Sequence, residues 1–175
     1  MLKLKEANFE DIDKEWILIR DMPADENGMT NSWPGVSKMF FENQAIPAMI
    51  NFSKGKDIPY WMVPETYLFL WDDDMIVGLF RLRQHLCESL IKGAGHIGYY
   101  IAKEYRGRGY ATEGLKLLIE YAKDIVPEDE FYLRLDKGNQ ASLRVMEKNG
   151  GYIVDEDDEK FYVRIPKSGR KKLEQ

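Results

Sequence analysis

The segment YYIAKEYRGRGYAT, residues 99–112, is the most informative stretch of this chain. It begins as a predicted strand, continues through a turn with Gly107 and Gly109, and enters a predicted amphipathic helix. The two glycines allow positive-φ backbone and carry no side chain that would block a ligand. Unpaired amides at the helix start face the same concavity, with the positive end of the helix dipole behind them. Such a turn binds an anion, and a pyrophosphate is the natural occupant.

The same turn also carries positive charge, because Arg106 and Arg108 flank its glycines. A glycine-bearing turn by itself is equally compatible with a plain strand-to-helix connection. The phosphate-loop signature Gly-x-x-x-x-Gly-Lys-Ser/Thr is missing from the chain, and the turn lacks the third glycine of a dinucleotide site. Binding of ATP or NAD is therefore the weakest interpretation. A second glycine pair, Gly95 and Gly98, lies in the predicted strand and indicates a bulge or a close ligand approach.

The elements on either side of this segment alternate between strands and helices. Strands are predicted over residues 2–7, 66–71, 75–83, 95–102, 131–135, 152–155 and 160–165. Helices are predicted from Asn8 or Asp11 to Ile19, over 36–52 as one or two pieces, and over 86–92, 110–125 and 139–149. Residues 21–34 contain Pro, Gly, Asn and Asp, and indicate a loop. This order predicts an α+β, or mixed α/β, fold built on one sheet.

Length and composition set limits on the class of protein. The 175 residues fit one domain, 1–175, and the longest apolar runs are too short to span a membrane. One cysteine, Cys87, excludes an intrachain disulfide, and with two histidines it makes a structural zinc site improbable, so no metal is expected. The amino terminus does not resemble a secretory signal, which favours the cytoplasm. A net charge of −5 disfavours nucleic acid as a partner.

Two separated motifs resemble the GNAT superfamily of N-acetyltransferases. Residues 106–111, RGRGYA, match the Arg/Gln-x-x-Gly-x-Gly/Ala pyrophosphate signature of that family. Residues 139–142, NQAS, open a helix that ends in 147–152, EKNGGY, and this is similar to the second cofactor segment of the family. One predicted strand separates the two motifs, as in the family, and together they cover about half of the chain. The resemblance extends to a bacterial group of predicted acetyltransferases of unassigned substrate.

The resemblance implies a GNAT-like fold in which a central, mixed and partly splayed sheet, flanked by helices, holds acetyl-CoA in its split. The strand backbone would pair with the pantetheine arm, the turn amides would hold the pyrophosphate, and Asn139 would bind the arm while capping its helix. Ser142 would either serve the same arm or cap the helix. The implied cofactor-binding residues are Tyr99, Tyr100, Ile101, Arg106, Gly107, Arg108, Gly109, Tyr110, Ala111, Thr112, Asn139 and Ser142.

Family chemistry is direct attack of an amine on the thioester, which needs a base for the ammonium and an acid for the thiolate. His96 is the first candidate base, and a core histidine bonded to backbone is the equal alternative. Asp136 is a second candidate base, with a turn residue as its alternative. The family often places a tyrosine acid where this chain has Met146, so Tyr99, Tyr100 or a water would replace it. A catalytically silent CoA-binding or regulatory module is the alternative function.

The acceptor is expected on the side formed by residues 1–65, while 66–165 form the sheet with the acetyl-CoA site. Five aromatic residues of that part would either line an apolar pocket for the amine or fill the core: Trp33, Phe40, Phe41, Tyr60 and Trp61. The sequence leaves a protein N-terminus, a lysine, a polyamine, an antibiotic and a small amino acid open as acceptors. It also leaves open a monomer or a homodimer.

Overall fold

Nine strands and six helices form the part of the chain that the computed structural model describes, residues 1–168. In chain order they are β1 (Leu2–Glu6), α1 (Ile12–Asp21), β2 (Asp25–Glu26), β3 (Met29–Thr30), α2 (Lys38–Phe40), α3 (Ile46–Ser53), β4 (Glu65–Asp72), β5 (Met75–Arg83), α4 (Glu88–Ile91), β6 (Ile97–Ile101), α5 (Tyr110–Ala122), β7 (Glu130–Asp136), α6 (Gln140–Lys148), β8 (Tyr152–Glu156) and β9 (Lys160–Pro166). A π-helical turn, Phe41–Ala45, joins α2 to α3, and a 3-10 turn, Lys103–Tyr105, follows β6.

The main strands form two sheets that separate between β6 and β7. One sheet has the order β1-β4-β5-β6 and the other β7-β9-β8, and every strand pair within them is antiparallel. The sheets meet at a bridge between Gly95 and Leu133 and at a 2.7 Å hydrogen bond from the His96 amide to the Tyr132 carbonyl. Beyond these contacts β6 and β7 diverge. The α+β fold class and the GNAT-like fold expected from the sequence are confirmed. The expected single, mixed sheet is not found in residues 1–168, because every strand pair there is antiparallel and the main strands separate into two sheets.

The first sheet is covered on both faces, which explains why β4 is buried along nearly its whole length. One face packs against α1 and the α2–α3 segment through residues such as Phe69 and Phe41. The other face packs against α5 and the second sheet through residues such as Phe80 and Leu118. A strand buried on both faces loses the alternation of a half-exposed strand, because both sets of its side chains enter a core.

Most predicted elements are confirmed, with boundaries shifted by a few residues. The predicted loop 21–34 is wrong in part, because it contains the β2–β3 hairpin. Helix α5 ends at Ala122, and Ile125 is exposed, although its spacing fitted the apolar face. The 36–52 region is helical from Lys38 to Ser53 with the π turn inside it. A strand of two residues is too short to show the alternation from which strands are predicted. Its presence depends on contacts with other parts of the chain.

Gly95 brings the two sheets together, contrary to its interpretation as a bulge or a ligand contact. Its φ is +68°, and a Cβ placed there would lie 2.1 Å from the Tyr132 carbonyl oxygen. The backbone of β7 therefore occupies the space that any side chain at position 95 would need. A Cβ placed at Gly98 would lie 3.0 Å from the Met29 sulfur, which is closer than an ordinary van der Waals contact.

Candidate active site

A cavity of about 610 Å³ fills the split between β6 and β7. Strand β6 forms one wall and the end of β7 forms the other, while the start of α5, helix α6 and the β2–β3 hairpin close it at the sides. Since β6 is the last strand of its sheet, one of its edges has no strand partner and borders this cavity. The cavity is therefore lined by free backbone groups as well as side chains.

The glycine turn, with Gly107 and Gly109, lies at one end of this cavity. Gly107 and Gly109 have φ of +76° and +82°, and nothing lies within 4 Å of a Cβ built at either position. The Gly109 carbonyl accepts the Glu113 amide at 3.1 Å as the first bond of α5, and no side chain caps the helix. The amides of Tyr110, Ala111 and Thr112 therefore have no partner within the helix, and all three residues line the cavity. This geometry fits a phosphate group.

The two arginines of the turn are placed differently from each other. The Arg106 guanidinium donates to the Ile101 carbonyl at 2.9 Å and to Glu26 at 2.5 Å, so it closes the cavity side with an ion pair. Arg108 does not line the cavity, and its guanidinium lies over the Tyr105 ring at 5.8 Å. The bond to Arg106 also occupies the Ile101 carbonyl, which the sequence interpretation left free for pantetheine.

Tyr99, Asn139 and Ser142 come together at the start of α6. The Asn139 side chain accepts the Ser142 amide at 3.2 Å and caps the helix, as predicted, so a capping role for Ser142 is wrong. The Ser142 hydroxyl instead lies 2.5 Å from the Tyr99 hydroxyl. Burial raises the pKa of Tyr99 to about 12, with the bond to Ser142 opposing the shift. Tyr99 is thus a neutral phenol in the cavity wall, able to donate a proton.

His96 lies outside the cavity lining and is fully buried. Its Nδ1 accepts the Tyr132 amide at 2.9 Å, and its Nε2 lies 3.0 Å from a Glu128 carboxylate oxygen. The backbone amide can only donate, so the proton of the neutral ring sits on Nε2 and points at Glu128. Burial lowers the pKa of His96, although Glu128 opposes this shift. With its accepting nitrogen occupied, the ring corresponds to the alternative of a core histidine bonded to backbone.

Asp136 lines the cavity at the end of β7, where its carboxylate pairs with the Lys160 ammonium. Its backbone carbonyl also accepts the Asn139 amide at 2.9 Å in the turn before α6. The turn-residue alternative is therefore observed, and the carboxylate lines the cavity in an ion pair, while its role as a base stays a prediction. Met146, at the position of the tyrosine that the family often has, is buried and also lines the cavity.

None of the five aromatic residues proposed for an acceptor pocket lines this cavity. Phe41 is completely buried in the core, and Trp33 packs against Tyr67 with ring centroids 6.1 Å apart. Phe40, Tyr60 and Trp61 are exposed. Phe41 and Trp33 therefore fill the core. The other three aromatic residues neither fill the core nor line this cavity.

Sequence reasoning missed several charged residues that line the cavity. Glu26 reaches the cavity from the β2–β3 hairpin, and three arginines enter it from β5 and β7, namely Arg81, Arg83 and Arg134. Strand alternation placed Arg81 and Arg83 on one face of β5, which was the available signal. No local pattern in the sequence predicts the ion pair between Glu26 and Arg106, which lie eighty positions apart.

Over residues 1–168, no helix is long and apolar enough to cross a membrane. In the same described part, no group of three or more His, Cys, Asp and Glu residues is arranged to hold a metal ion.

Comparisons with known proteins agree with this geometry. The family model of the acetyltransferase (GNAT) domain matches residues 11–151. The probable N-acetyltransferase YjcK of Bacillus subtilis is 31% identical over 86 residues, a match that spans 47% of this chain and 45% of that curated relative.

Solved structures share the fold at low sequence identity. A GNAT-family acetyltransferase from Streptococcus pneumoniae superposes with a TM-score of 0.59 at 18% identity, covering 94% of this chain and 97% of that one. Campylobacter jejuni N-acetyltransferase PseH in complex with acetyl coenzyme A gives a TM-score of 0.59 at 16% identity, covering 95% and 99%. At such identities the likeness shows the fold, while the domain match covers most of the sequence. The chain belongs to the GNAT acetyltransferase family.

Proposed function

We propose that this protein transfers the acetyl group of acetyl-CoA to a primary amine, on a small molecule or a peptide, by direct attack in a ternary complex. The observation that carries the proposal is the cavity between β6 and β7, with free helix amides at one end and an unpaired strand edge along its length. The family assignment supplies the reaction class. The geometry supplies the residues that would perform it.

Three groups of this chain would hold acetyl-CoA. The amides of Tyr110, Ala111 and Thr112 would bind the pyrophosphate, because they lack helix partners and face the cavity. The free edge of β6 would pair with the amides of the pantetheine arm as a further strand does. The Asn139 amide nitrogen remains available to the arm, since its oxygen is the atom that caps α6.

The transfer needs three proton movements and no acyl-enzyme. The ammonium first gives one proton to Asp136, and the neutral amine nitrogen then bonds to the thioester carbonyl carbon as the carbon–sulfur bond breaks. Tyr99, whose raised pKa keeps the phenol neutral at physiological pH, protonates the departing thiolate, and the second proton of the nitrogen restores the phenol. Cys87 lies outside the cavity lining, so the only thiol of the chain is not placed to carry an acetyl group.

A CoA-binding protein without turnover is the second candidate. Met146 supports it, because this thioether stands where many relatives have an acidic phenol and cannot donate a proton. The two candidates share the same cofactor site. They differ only in whether thiol is released when an amine is supplied.

Thermal unfolding with acetyl-CoA, CoA, ATP and NAD at matched concentrations tests the site. A ligand that binds only the folded state stabilises it by about 2.7 kcal/mol at a hundred times its Kd, so acetyl-CoA and CoA should raise the Tm by several degrees. ATP and NAD should not. Thiol release from acetyl-CoA with a panel of amines then distinguishes the two candidates.

Absence of any shift with acetyl-CoA and CoA, or a shift with ATP or NAD alone, would contradict CoA binding altogether. A shift without thiol release from any amine would leave the silent binding module as the function.

A further inference from the structure

Three arginines gather at the end of the cavity that is remote from the glycine turn. Arg81 and Arg83 lie two residues apart on β5, so they share one face, while Leu82 between them is buried on the other. Arg134 reaches the same cavity from β7. Arg81 pairs in register with Gly98 at the start of β6, and the glycine turn follows the end of β6. Strand rise places these two ends roughly 10–13 Å apart.

Arg81 has a structural partner. Its Nε donates to the Glu65 carboxylate at 2.7 Å, and its Nη1 donates to the Thr30 carbonyl at 2.8 Å. The Arg81 and Glu65 side chains are 11% and 4% exposed, so the pair is buried. A buried charge with its counter-charge and further hydrogen bonds is satisfied. Arg81 therefore holds the β2–β3 hairpin over the sheet.

Arg83 has no such partner. Its guanidinium is half-buried, lines the cavity and donates one long bond, 3.3 Å, to the Gly95 carbonyl. Within residues 1–168 no carboxylate lies at ion-pair distance from it. Burial, together with the nearby Arg81 and Arg134 charges, lowers the pKa of Arg83, and Glu65 offsets only part of this. A desolvated cation without a counter-charge is costly, which an anionic ligand would relieve.

The charge of the whole cavity has the same sign. Seven Arg and Lys side chains line it against two carboxylates, although the chain carries a net charge of −5. Both of those carboxylates, Glu26 and Asp136, already pair with a cation. The glycine turn at the other end accounts for the binding of the pyrophosphate. It does not account for the positive charge around Gly98, which indicates that a second anionic group binds there.

We propose that the acetyl acceptor is an amine that carries an oxyanion, a carboxylate or a phosphate, and that Arg83 recognises this oxyanion. The proposal rests on the acetyltransferase function proposed above and narrows its substrate class. The planar guanidinium offers parallel donors that match both groups, and Arg134 adds charge beside it. A polyamine is excluded by the same electrostatics, because a second ammonium would face Arg83.

Matched amine pairs test the assignment. We expect β-alanine to exceed β-alaninamide, phosphoethanolamine to exceed ethanolamine, or a peptide with aspartate at its second position to exceed the asparagine form. The preferred pair identifies whether the oxyanion belongs to an amino acid, a phosphate ester or a peptide. A charge-assisted pair corresponds to about ten- to a hundredfold in kcat/KM. Spermidine should be poorer than every anionic amine.

Variants of Arg83 connect the preference to this side chain. Arg83→Gln should remove the preference, and Arg83→Lys should restore most of it because it restores the charge. Arg20→Gln is the matched control, since Arg20 is exposed on α1 and lies outside the cavity. CoA-induced stabilisation measured by thermal unfolding shows that each variant is folded and has an intact cofactor site. If no amine turns over, the same pairs are compared by the further rise in Tm in the presence of CoA.

The outcomes separate this inference from the function on which it rests. No stabilisation of the wild-type protein by CoA contradicts the proposed function itself. Equal responses to both members of every pair, a preference for spermidine, or a preference that survives Arg83→Gln overturns the oxyanion assignment alone. Weakened CoA binding in Arg83→Gln would also overturn it, because the arginines would then belong to the CoA site.

Discussion

The environment of a single ring decides whether His96 takes part in catalysis. His96 directly precedes β6, which is why the sequence suggested it as a base. In the structure, however, its ring packs between Phe131 and Tyr132 and faces Glu128. Protonation would place a hydrogen on Nδ1, opposite the Tyr132 amide hydrogen. The neutral ring is thus a structural hydrogen-bond bridge between the two sheets.

His96→Asn should therefore reduce stability and leave turnover nearly intact. The asparagine oxygen retains an acceptor for the Tyr132 amide, while the link to Glu128 and the ring packing are lost, at a cost of about 1–3 kcal/mol. The folded-state pKa of His96 is lowered, so the wild type has this stability above the unfolded pKa of about 6.5 and loses it as pH falls through the folded value. Chemical denaturation at pH 7.5 and 5 should show a smaller acid loss in the variant.

Tyr99→Phe should have the opposite effect to His96→Asn, because it should reduce turnover and leave the packing intact. It should keep the stacking on Phe80, whose ring centroid is 5.5 Å away, and lose the proton donor. A fall in kcat of about a hundredfold with an unchanged KM for acetyl-CoA is expected for a general acid. A comparable fall in kcat in His96→Asn would mean that His96 is the base after all.

At the scale of elements, the strand–turn–helix unit β6–α5 forms the proposed anion site. Two glycines in this turn take left-handed backbone and leave open space beside the helix amides. Open space means that substitution there costs backbone strain without a clash. The effect of a substitution at these glycines on stability can therefore be measured separately from its effect on CoA binding.

Gly109→Ala should destabilise the fold by about 1–2 kcal/mol and also weaken CoA binding. The strain follows from its φ of +82°, and the added methyl group narrows the space that the phosphate needs. Gly35→Ala is the matched control, since Gly35 has φ +68° and equally open surroundings but lies outside the cavity. Differential scanning calorimetry measures the strain and isothermal titration of CoA measures the binding. Equal CoA affinity in the two variants would show that the turn does not hold the cofactor.

At the scale of the whole molecule, an apolar core lies on each face of the β1-β4-β5-β6 sheet. A carboxyl group is enclosed beside the core that contains α1. Glu15 on α1 is fully buried, and its oxygens accept the Asn8 amide at 3.2 and 3.3 Å. Burial raises the pKa of Glu15 to about 8, assisted by Asp11, while the Asn8 bond and Lys5 oppose the rise. The folded state thus holds a proton that the unfolded chain loses near pH 4.5.

Glu15→Gln should make global stability less dependent on pH. With a raised folded pKa, the wild type has the full contribution below pH 4.5 and loses it as pH rises through about 8. The neutral amide removes this loss, so the variant should gain several degrees in Tm relative to the wild type between pH 5 and 8.5. Parallel Tm-against-pH curves for the two proteins would show that Glu15 is ionised in the folded state.

The sequence alone predicted those features that depend on neighbouring residues. Strand and helix periodicities, the Asn139 cap and the glycine turn all follow from interactions within a few positions, and the structure has each of them close to the predicted place. The motif spacing likewise indicated the GNAT family, which the domain match confirms.

Tertiary structure decided the features that depend on distant residues. It turned His96 toward Glu128, used Gly95 for contact between the sheets, and paired Glu26 with Arg106 across eighty positions. It also pairs Glu65 with Arg81, while within residues 1–168 Arg83 has no carboxylate at ion-pair distance in the cavity. Periodicity states which face of a strand a side chain occupies, but not which groups the rest of the chain brings against that face. The charged residues that line the cavity therefore cannot be predicted from the sequence, whereas the glycine turn is predicted from fourteen consecutive residues.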